Sequence, residues 1–405
     1  MVRGCTQCGE CLAVCPVFQV LQREEYSPKA KRLLMEPLQN ASAPEPLLDW
    51  ERIKKLSRLC AGCGRCARVC ARGLSAADLL AEVRSRSPDW SQQAWELWVR
   101  QLGPLWPTVG LVAAFLSAFF SKEAAGGMLA SAGALLNDTQ SSPPAGSVRV
   151  IAAQKTAPAA SPPLLLFSGC TAKRVRPQWT EKARALLKAF GHEPVDSSGF
   201  TCCGGTLYHA GQFDALRRLR QENLVFWRSA GRPRVAVFCA SCFDALKRYG
   251  EDLASKEEEQ VWQKCLTPLS ALLVGAQAAQ GGALSDDVGA PGQNMPAKDA
   301  SPKEASGIAY HQPCHWGAVD PDIVFLRSIF NNLATGSSLC CGMGGILKMT
   351  NSKLSLDMAE NCLRSFPAET KTILSGCSGC VLQLKGAAAK RTDVRHWLDA
   401  IEPDY

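Results

Sequence analysis

The sequence predicts a multidomain α+β chain in which a helical N-terminal domain, carrying cysteines on its loops, is followed by two duplicated α/β units. Three observations predict it. Five cysteines from Cys170 to Cys242 follow the pattern C-x31-CC-x35-C-x2-C, and the chain repeats the theme with Cys314, Cys340-Cys341 and Cys377-Ser-Gly-Cys380; the 35-residue interval is the same in both copies, which marks an internal duplication. In each copy, short apolar runs end at a cysteine and alternate with amphipathic segments, as strands, loops and helices do in an α/β unit. Ahead of both copies, two dense cysteine motifs sit among stretches of helical character.

Taking the chain in order, residues 5–16 read C-x2-C-x2-C-x3-C-P, and residues 60–70 repeat the run without the proline. This is the spacing of a bacterial two-cluster ferredoxin, in which three close thiolates serve one cluster and the fourth reaches across to the other. It predicts one [4Fe-4S] cluster on Cys5, Cys8, Cys11 and Cys70 and a second on Cys60, Cys63, Cys66 and Cys15. Eight cysteines acting as small buried hydrophobes is the poorer reading at this spacing. Ala71 stands where the pattern has proline, a residue that fixes the exit of the chain and supplies no ligand. The 44 residues 16–59 have helical character around 28–38 and 47–59, so a helical domain should carry the clusters on its loops. Arg58, Arg65, Arg68 and Arg72 crowd the second motif; solvated surface arginines are favoured over a docking face or a means of raising the cluster's potential.

Residues 76–100 are helical by period, with Trp90, Trp95 and Trp98 expected in a core. The run 110–120 is the most apolar in the chain but only 11 residues long, whereas a membrane span needs about 20. A buried or interface helix is favoured over membrane-surface contact. Residues 137–163 turn to Ser, Pro, Ala and Gln, the composition of a flexible linker. The first repeat opens with a strand at 163–167 leading to Cys170, then helices at 180–190 and 214–227 and a strand at 234–238 ending at Cys239. The second copies the order with 308–310, 323–333, 353–365 and 372–374, so all these cysteines should gather at the carboxyl ends of strands. Residues 275–306 lack apolar period and read as disordered linker. The expected organisation is a two-cluster domain at 1–90, a helical segment at 91–136, a linker at 137–163, repeat units at 164–274 and 307–405, and the second linker between them.

Composition narrows the chemistry. At 405 residues the chain can bury two or three cores and has no need of disulfide staples, yet it has 20 cysteines. The sequence enters its first cysteine motif at Cys5, with no apolar signal or twin-arginine leader before it, which predicts a reducing cytoplasm where C-x2-C spacing means metal ligands. Zinc would bring cysteines in fours with frequent histidine, and five His in all fits it poorly. The net charge of +8 is spread without a Lys/Arg block; solubility is the favoured reading, and a nucleic-acid partner is not expected. There is no phosphate-cradling loop, dinucleotide fingerprint or nucleophile with a paired base, so hydride chemistry should lie on another chain. His209, His311 and His315 flank the repeat motifs, where being merely satisfied is favoured over donating hydrogen bonds to sulfides or relaying protons; Cys265 and Cys362 fall outside all four motifs, and buried structural thiols are favoured over redox roles.

A cubane needs four thiolates, so a fifth in each repeat is surplus, and a more open cluster bridged by thiolates would use both members of the adjacent pair. At these residues the chain resembles the CCG cysteine-rich family shared by heterodisulfide reductase subunits, the glycerol-3-phosphate dehydrogenase C-subunit and lactate-utilisation proteins. In its whole layout it is similar to the glycolate oxidase iron-sulfur subunits, including the closing Val394-Arg395-His396-Trp397-Leu398. The run His311-Gln-Pro313 before Cys314 departs from the family but removes no ligand. The resemblance implies up to two further clusters, of non-cubane form in the heterodisulfide reductase members: one on Cys170, Cys202, Cys203, Cys239 and Cys242, the other on Cys314, Cys340, Cys341, Cys377 and Cys380. It implies an oxidoreductase's electron-transfer subunit, in the cytoplasm or peripheral on the inner face of the membrane. Its partner would be an FAD-containing 2-hydroxyacid dehydrogenase subunit acting on glycolate or D-lactate, with a quinone or another, membrane-associated, acceptor. The alternative is an enzyme that reduces a disulfide at a repeat-bound cluster; a structural adaptor with a degenerate site ranks last.

Overall fold

The computed structural model describes residues 4–35, 49–86, 90, 93, 96–97, 99, 144, 147–152, 162–273, 276–278, 303–304, 307–388 and 392–403. The N-terminal part is helical: α1 (Glu10–Ala13), α2 (Pro16–Leu21), α3 (Pro28–Met35), α4 (Trp50–Ser57), α5 (Arg65–Val69) and α6 (Ala76–Arg86). Pro16 opens α2 at its first turn, where its missing N–H costs nothing. Asp49 caps α4 by accepting the Arg52 N–H at 3.0 Å. Met35, Ile53, Leu56, Leu79, Leu80 and Val83 close a small core between α3, α4 and α6.

The chain then forms β1 (Val148–Ala152) and the first repeat: β2 (Leu164–Phe167), α7 (Gly169–Arg174), α8 (Pro177–Ala189), α9 (Gly205–Ala210), α10 (Phe213–Ser229), β3 (Arg234–Val237), α11 (Ala240–Lys247), α12 (Lys256–Cys265) and β4 (Leu266–Pro268). After β5 (Ala276–Ala278) and β6 (Lys303–Glu304) comes the second: β7 (Ile308–His311), α13 (Pro321–Ile329), β8 (Phe330–Asn331), β9 (Ala334–Thr335), α14 (Ile346–Thr350), α15 (Ser352–Arg364), β10 (Thr372–Ser375), α16 (Ser378–Ala387) and β11 (Asp393–His396), with β12 (Ile401–Pro403) after it. Each repeat is built on a parallel sheet, β2-β3-β4 in the first and β11-β10-β7-β9 in the second. All four residues of β2, β7 and β10 are buried, as parallel strands covered on both faces require. Register pairs Phe167 with Val237 and His311 with Ser375, so Cys170 and Cys239, like Cys314 and Cys377, leave the same end of their sheet.

Two expectations meet a different outcome. Strands lie inside both stretches read as linker: β1 pairs parallel with β12 and antiparallel with β5, and β6 pairs with β8. In β1, buried Val148 and Val150 flank exposed Arg149, a period-two signal too short to stand out from its Ser- and Pro-rich surroundings. Trp90 is 67% exposed and therefore not a core residue. Trp95, Trp98 and the apolar run 110–120 lie outside the described residues; among those described, no helix is long and apolar enough to cross a membrane.

The helical domain is docked firmly on the repeats. Asp78 of α6 accepts from the Tyr208 hydroxyl and from Arg248 Nη1, both at 2.9 Å, and Arg84 Nη1 donates to the His209 carbonyl at 2.5 Å. Gly211 lies against the backbone of α6: a Cβ there would stand 2.6 Å from both the Ala81 carbonyl oxygen and the Ser85 nitrogen, and its φ of +76° is itself left-handed. On the other repeat, Val17, Leu59 and Ala61 join Leu347, Leu354 and Met358 in one apolar cluster. Between the repeats, Ala240 N–H donates to the Gly376 carbonyl at 2.8 Å, and Trp179 Nε1 donates to Asp399 at 2.9 Å. His396 accepts the Leu398 N–H on Nδ1 at 3.3 Å, which leaves its Nε2 proton for the Phe238 carbonyl at 3.2 Å. The C-terminus is thereby tied to the end of β3, beside Cys239.

Gly211→Val should cost about 2–4 kcal/mol, from left-handed strain and overfilled space together, and should expose the α6 contact to protease before the repeats unfold. Burial holds His396 down at about 4, against an ordinary value of 6.5. The unfolded chain therefore takes up this proton first as pH falls, so the stability is present above pH 6.5 and lost on descending towards 4, about 3 kcal/mol in all. Anaerobic urea denaturation across that window should show the loss, and His396→Gln should flatten it.

Candidate metal centres

The cysteines form four groups. Helices α1 and α5 pack together, so that the loop bearing Cys5, Cys8 and Cys11 comes beside the end of α5, where Cys70 follows. Cys8 is exposed and the other three are half-buried; Cys11 lies in the field of Cys5. In the second group, Cys15 from the first motif joins Cys60, Cys63 and Cys66 around a cavity of about 20 Å3 that Lys31 also lines. Burial pushes Cys15 up to about 11 and Cys66 up to about 12. Lys31 is 2% exposed, donates to the Leu59 carbonyl, and is pushed down by burial against the pull of Cys60 and Cys15.

In the first repeat the thiols are in hydrogen-bonding contact in the order Cys170, Cys202, Cys203, Cys242, Cys239. The second repeats it with Cys314, Cys340, Cys341, Cys380, Cys377. The two rows are joined: Cys239 touches Cys377, and each has the other motif's serine beside it, Ser378 Oγ 3.0 Å from Cys239 and Ser241 Oγ 3.5 Å from Cys377. At the far end, Cys63 of the helical domain contacts Cys340. A row of sulfurs thus runs unbroken from the first repeat through the second to the second N-terminal group. Nine of the ten repeat cysteines, with His209 and His315, line one cavity of about 190 Å3, and Cys239 is outside that lining.

Backbone geometry is repeated at each motif. The N–H two residues on points back at the sulfur: Gln7 to Cys5 and Gly62 to Cys60 at 3.4 Å, Gly204 to Cys202 and Gly342 to Cys340 at 3.5 Å. Such donors favour the thiolate, the form that binds metal. Hydrogen bonds from Cys202 and Cys242 pull Cys203 down to about 6, and those from Cys340 and Cys380 pull Cys341 well below the ordinary thiol range. Soft sulfur donors, amides aimed at them and thiols already sharing protons are a fitting environment for iron–sulfur clusters.

Several supports were not legible as site residues. Asn223 on α10 holds the first double-cysteine loop, accepting the Thr201 N–H at 2.8 Å and donating to the Cys202 carbonyl at 2.9 Å, while the Tyr249 hydroxyl donates to the Cys203 carbonyl at 3.2 Å. Ser355 on α15 donates to the Gly342 carbonyl at 2.8 Å. Their signal in the sequence is a lone polar residue on a buried helix face. The arginines around the second motif are not all idle surface: Arg65 donates to the Ser338 carbonyl across the domain junction. The histidines depart from expectation, because His209 Nδ1 and His311 Nε2 are buried without a partner among the described residues. Burial drives His209 down to about 3; at His311 burial opposes the charge, but the Cys362 and Cys341 sulfurs outweigh it and raise the ring to about 10. Cys362 is fully buried, whereas Cys265 is only half-buried.

Residues 1–74 match the 4Fe-4S dicluster domain family, and residues 164–247 and 308–385 each match the cysteine-rich domain family. The chain is similar along its length to the glycolate oxidase iron-sulfur subunit of Escherichia coli (strain K12), 23% identical over 421 residues covering 99% of this chain and 94% of that one. It is also similar to a probable glycolate oxidase iron-sulfur subunit of Bacillus subtilis, 23% identical over 94% of this chain and 88% of the other. One subunit of the dihydromethanophenazine:CoB–CoM heterodisulfide reductase of Methanosarcina mazei is 22% identical over 92% of this chain and 86% of its own. The dicluster and cysteine-rich matches make iron–sulfur clusters the cofactors of this chain.

Asn223→Leu keeps the volume but orphans the backbone groups at Thr201 and Cys202; it should cost about 2–5 kcal/mol and lower the iron retained after gel filtration, with the second repeat's share unaffected.

Proposed function

Taking as premise a chain made of one 4Fe-4S dicluster domain followed by two cysteine-rich domains, we propose that it is the electron-transfer subunit of a flavin-dependent 2-hydroxyacid dehydrogenase complex, with glycolate or D-lactate as the substrate of its flavoprotein partner. The observation that carries this is the continuous row of sulfurs from the repeat cavity to Cys63, with the exposed Cys8 group beyond it as the outward face. Iron–sulfur clusters, when bound, supply one-electron carriers. Cys5, Cys8, Cys11 and Cys70 would hold one; Cys15, Cys60, Cys63 and Cys66 a second; and the five cysteines of each repeat one more. The chain's own residues aim amides at the sulfurs and bind the helical domain to the repeats so that the groups keep their spacing. An acceptor such as a quinone, reached from the cytoplasmic face of a membrane, completes the reading.

One observation favours a second reading, disulfide reduction at the repeats: the cavity of about 190 Å3 opens onto the cysteines of both at once.

The test is anaerobic purification with assay of iron, acid-labile sulfide and bound flavin. Full loading corresponds to about 16 Fe per chain, and Cys340→Ser should remove about a quarter of it. Reduction of the clusters by glycolate or D-lactate through a co-purifying flavoprotein supports the first reading. Full loading without flavin, together with viologen-driven turnover of a disulfide, supports the second.

A further inference from the structure

The two repeats differ in a buried polar pair beside the second site's cysteines. His311, at the end of β7, is 3% exposed, and its Nδ1 lies 3.5 Å from the Sγ of fully buried Cys362. Its Nε2 is buried without a hydrogen-bond partner among the described residues. A ring nitrogen of His311 and the Sγ atoms of Cys341 and Cys380 all lie within 4.8 Å of one another.

The duplication supplies its own control. Three residues before the lone cysteine, the first repeat has Phe167 where the second has His311. Twenty-one residues after the double cysteine it has Leu224 where the second has Cys362, and both Phe167 and Leu224 are fully buried. The fold therefore closes these positions with two apolar residues when nothing more is asked of them. An unpaired imidazole nitrogen in the interior is unfavourable, and the polar atoms that stand beside this ring include the Cys341 and Cys380 sulfurs of the second centre.

We propose that His311 is a further residue of the second cysteine-rich centre: its Nε2–H is a hydrogen-bond donor kept for a sulfur of the cluster there, with Cys362, whose Sγ lies 3.5 Å from Nδ1, as the positioning residue that holds the ring in place. The inference rests on the cluster reading above. A donor to a cluster sulfur stabilises the more negative, reduced state. The second centre consequently takes an electron more readily than the first, whose matching wall is Phe167 and Leu224. Lys348 adds to this difference: it is 2% exposed, lies in the field of Cys341, and occupies the position held by Ala210 in the first repeat.

The test uses the full-length protein loaded with iron and sulfide, by redox titration followed with electron paramagnetic resonance and by pulsed measurements after 15N-histidine labelling. In the native protein, one cysteine-rich centre shows a weak histidine-nitrogen coupling that Cys340→Ser abolishes along with its signal. His311→Phe keeps the iron content, removes the coupling and moves the midpoint potential of that centre alone downward; Cys362→Ala moves it the same way by less. An unchanged midpoint in a fully loaded His311→Phe protein overturns the proposal, as does a coupling strong enough to mean direct ligation. If His311→Phe does not fold or load, the native coupling and Cys362→Ala decide, and absence of both effects overturns it. A native second repeat without iron overturns the cluster reading, and this inference with it.

Discussion

The constraint on which this molecule depends is the placing of ten thiols side by side in its interior, with the Cys239–Cys377 contact at their middle. Thiols at such spacing cannot all ionise, and each that does raises the cost of the next. The fold meets this by sharing: Cys203, Cys239 and Cys341 are drawn towards the thiolate while Cys170, Cys242, Cys340 and Cys380 are driven from it. Parallel strands make the crowding possible, because they deliver every ligand loop to the same sheet end.

Around that row, close backbone contacts add to the side-chain ties of Asp78, Arg84 and Trp179. Gly376 and Ala240 join the repeats through the main chain, and Gly211 lets α9 meet α6 without a side chain between. At Gly344 a Cβ would stand 2.8 Å from the Cα of Ala61, so the second N-terminal loop presses directly on the second repeat.

Duplication made the two sites alike in topology and left them unlike in chemistry. The same strand end carries Phe167 in one and His311 in the other, and the same turn of the following helices carries Leu224 or Cys362. The second site also has Cys340 in contact with Cys63 of the second N-terminal group. Two copies of one motif are thereby set in different dielectric and hydrogen-bonding surroundings, which is how a protein separates the properties of identical cofactors.

The sequence by itself determined the ligand inventory, the duplication and the strand-to-cysteine order, because cysteine spacing and apolar period are local properties: β2, β3, β7 and β10 lie where short apolar runs point at cysteines. It did not reveal β1, β5 or β6, since strands of two to five residues are stabilised by partners far away in the chain and not by their own composition. Nor did it show the unsatisfied nitrogens of His209 and His311, or the exposure of Trp90, because burial of a single side chain is settled by what packs against it. Only the tertiary structure decided that three of the four cysteine groups form one row. That row exists because two parallel sheets meet at their ligand-bearing ends and a helical domain docks on both, contacts between residues more than a hundred positions apart that no spacing rule encodes.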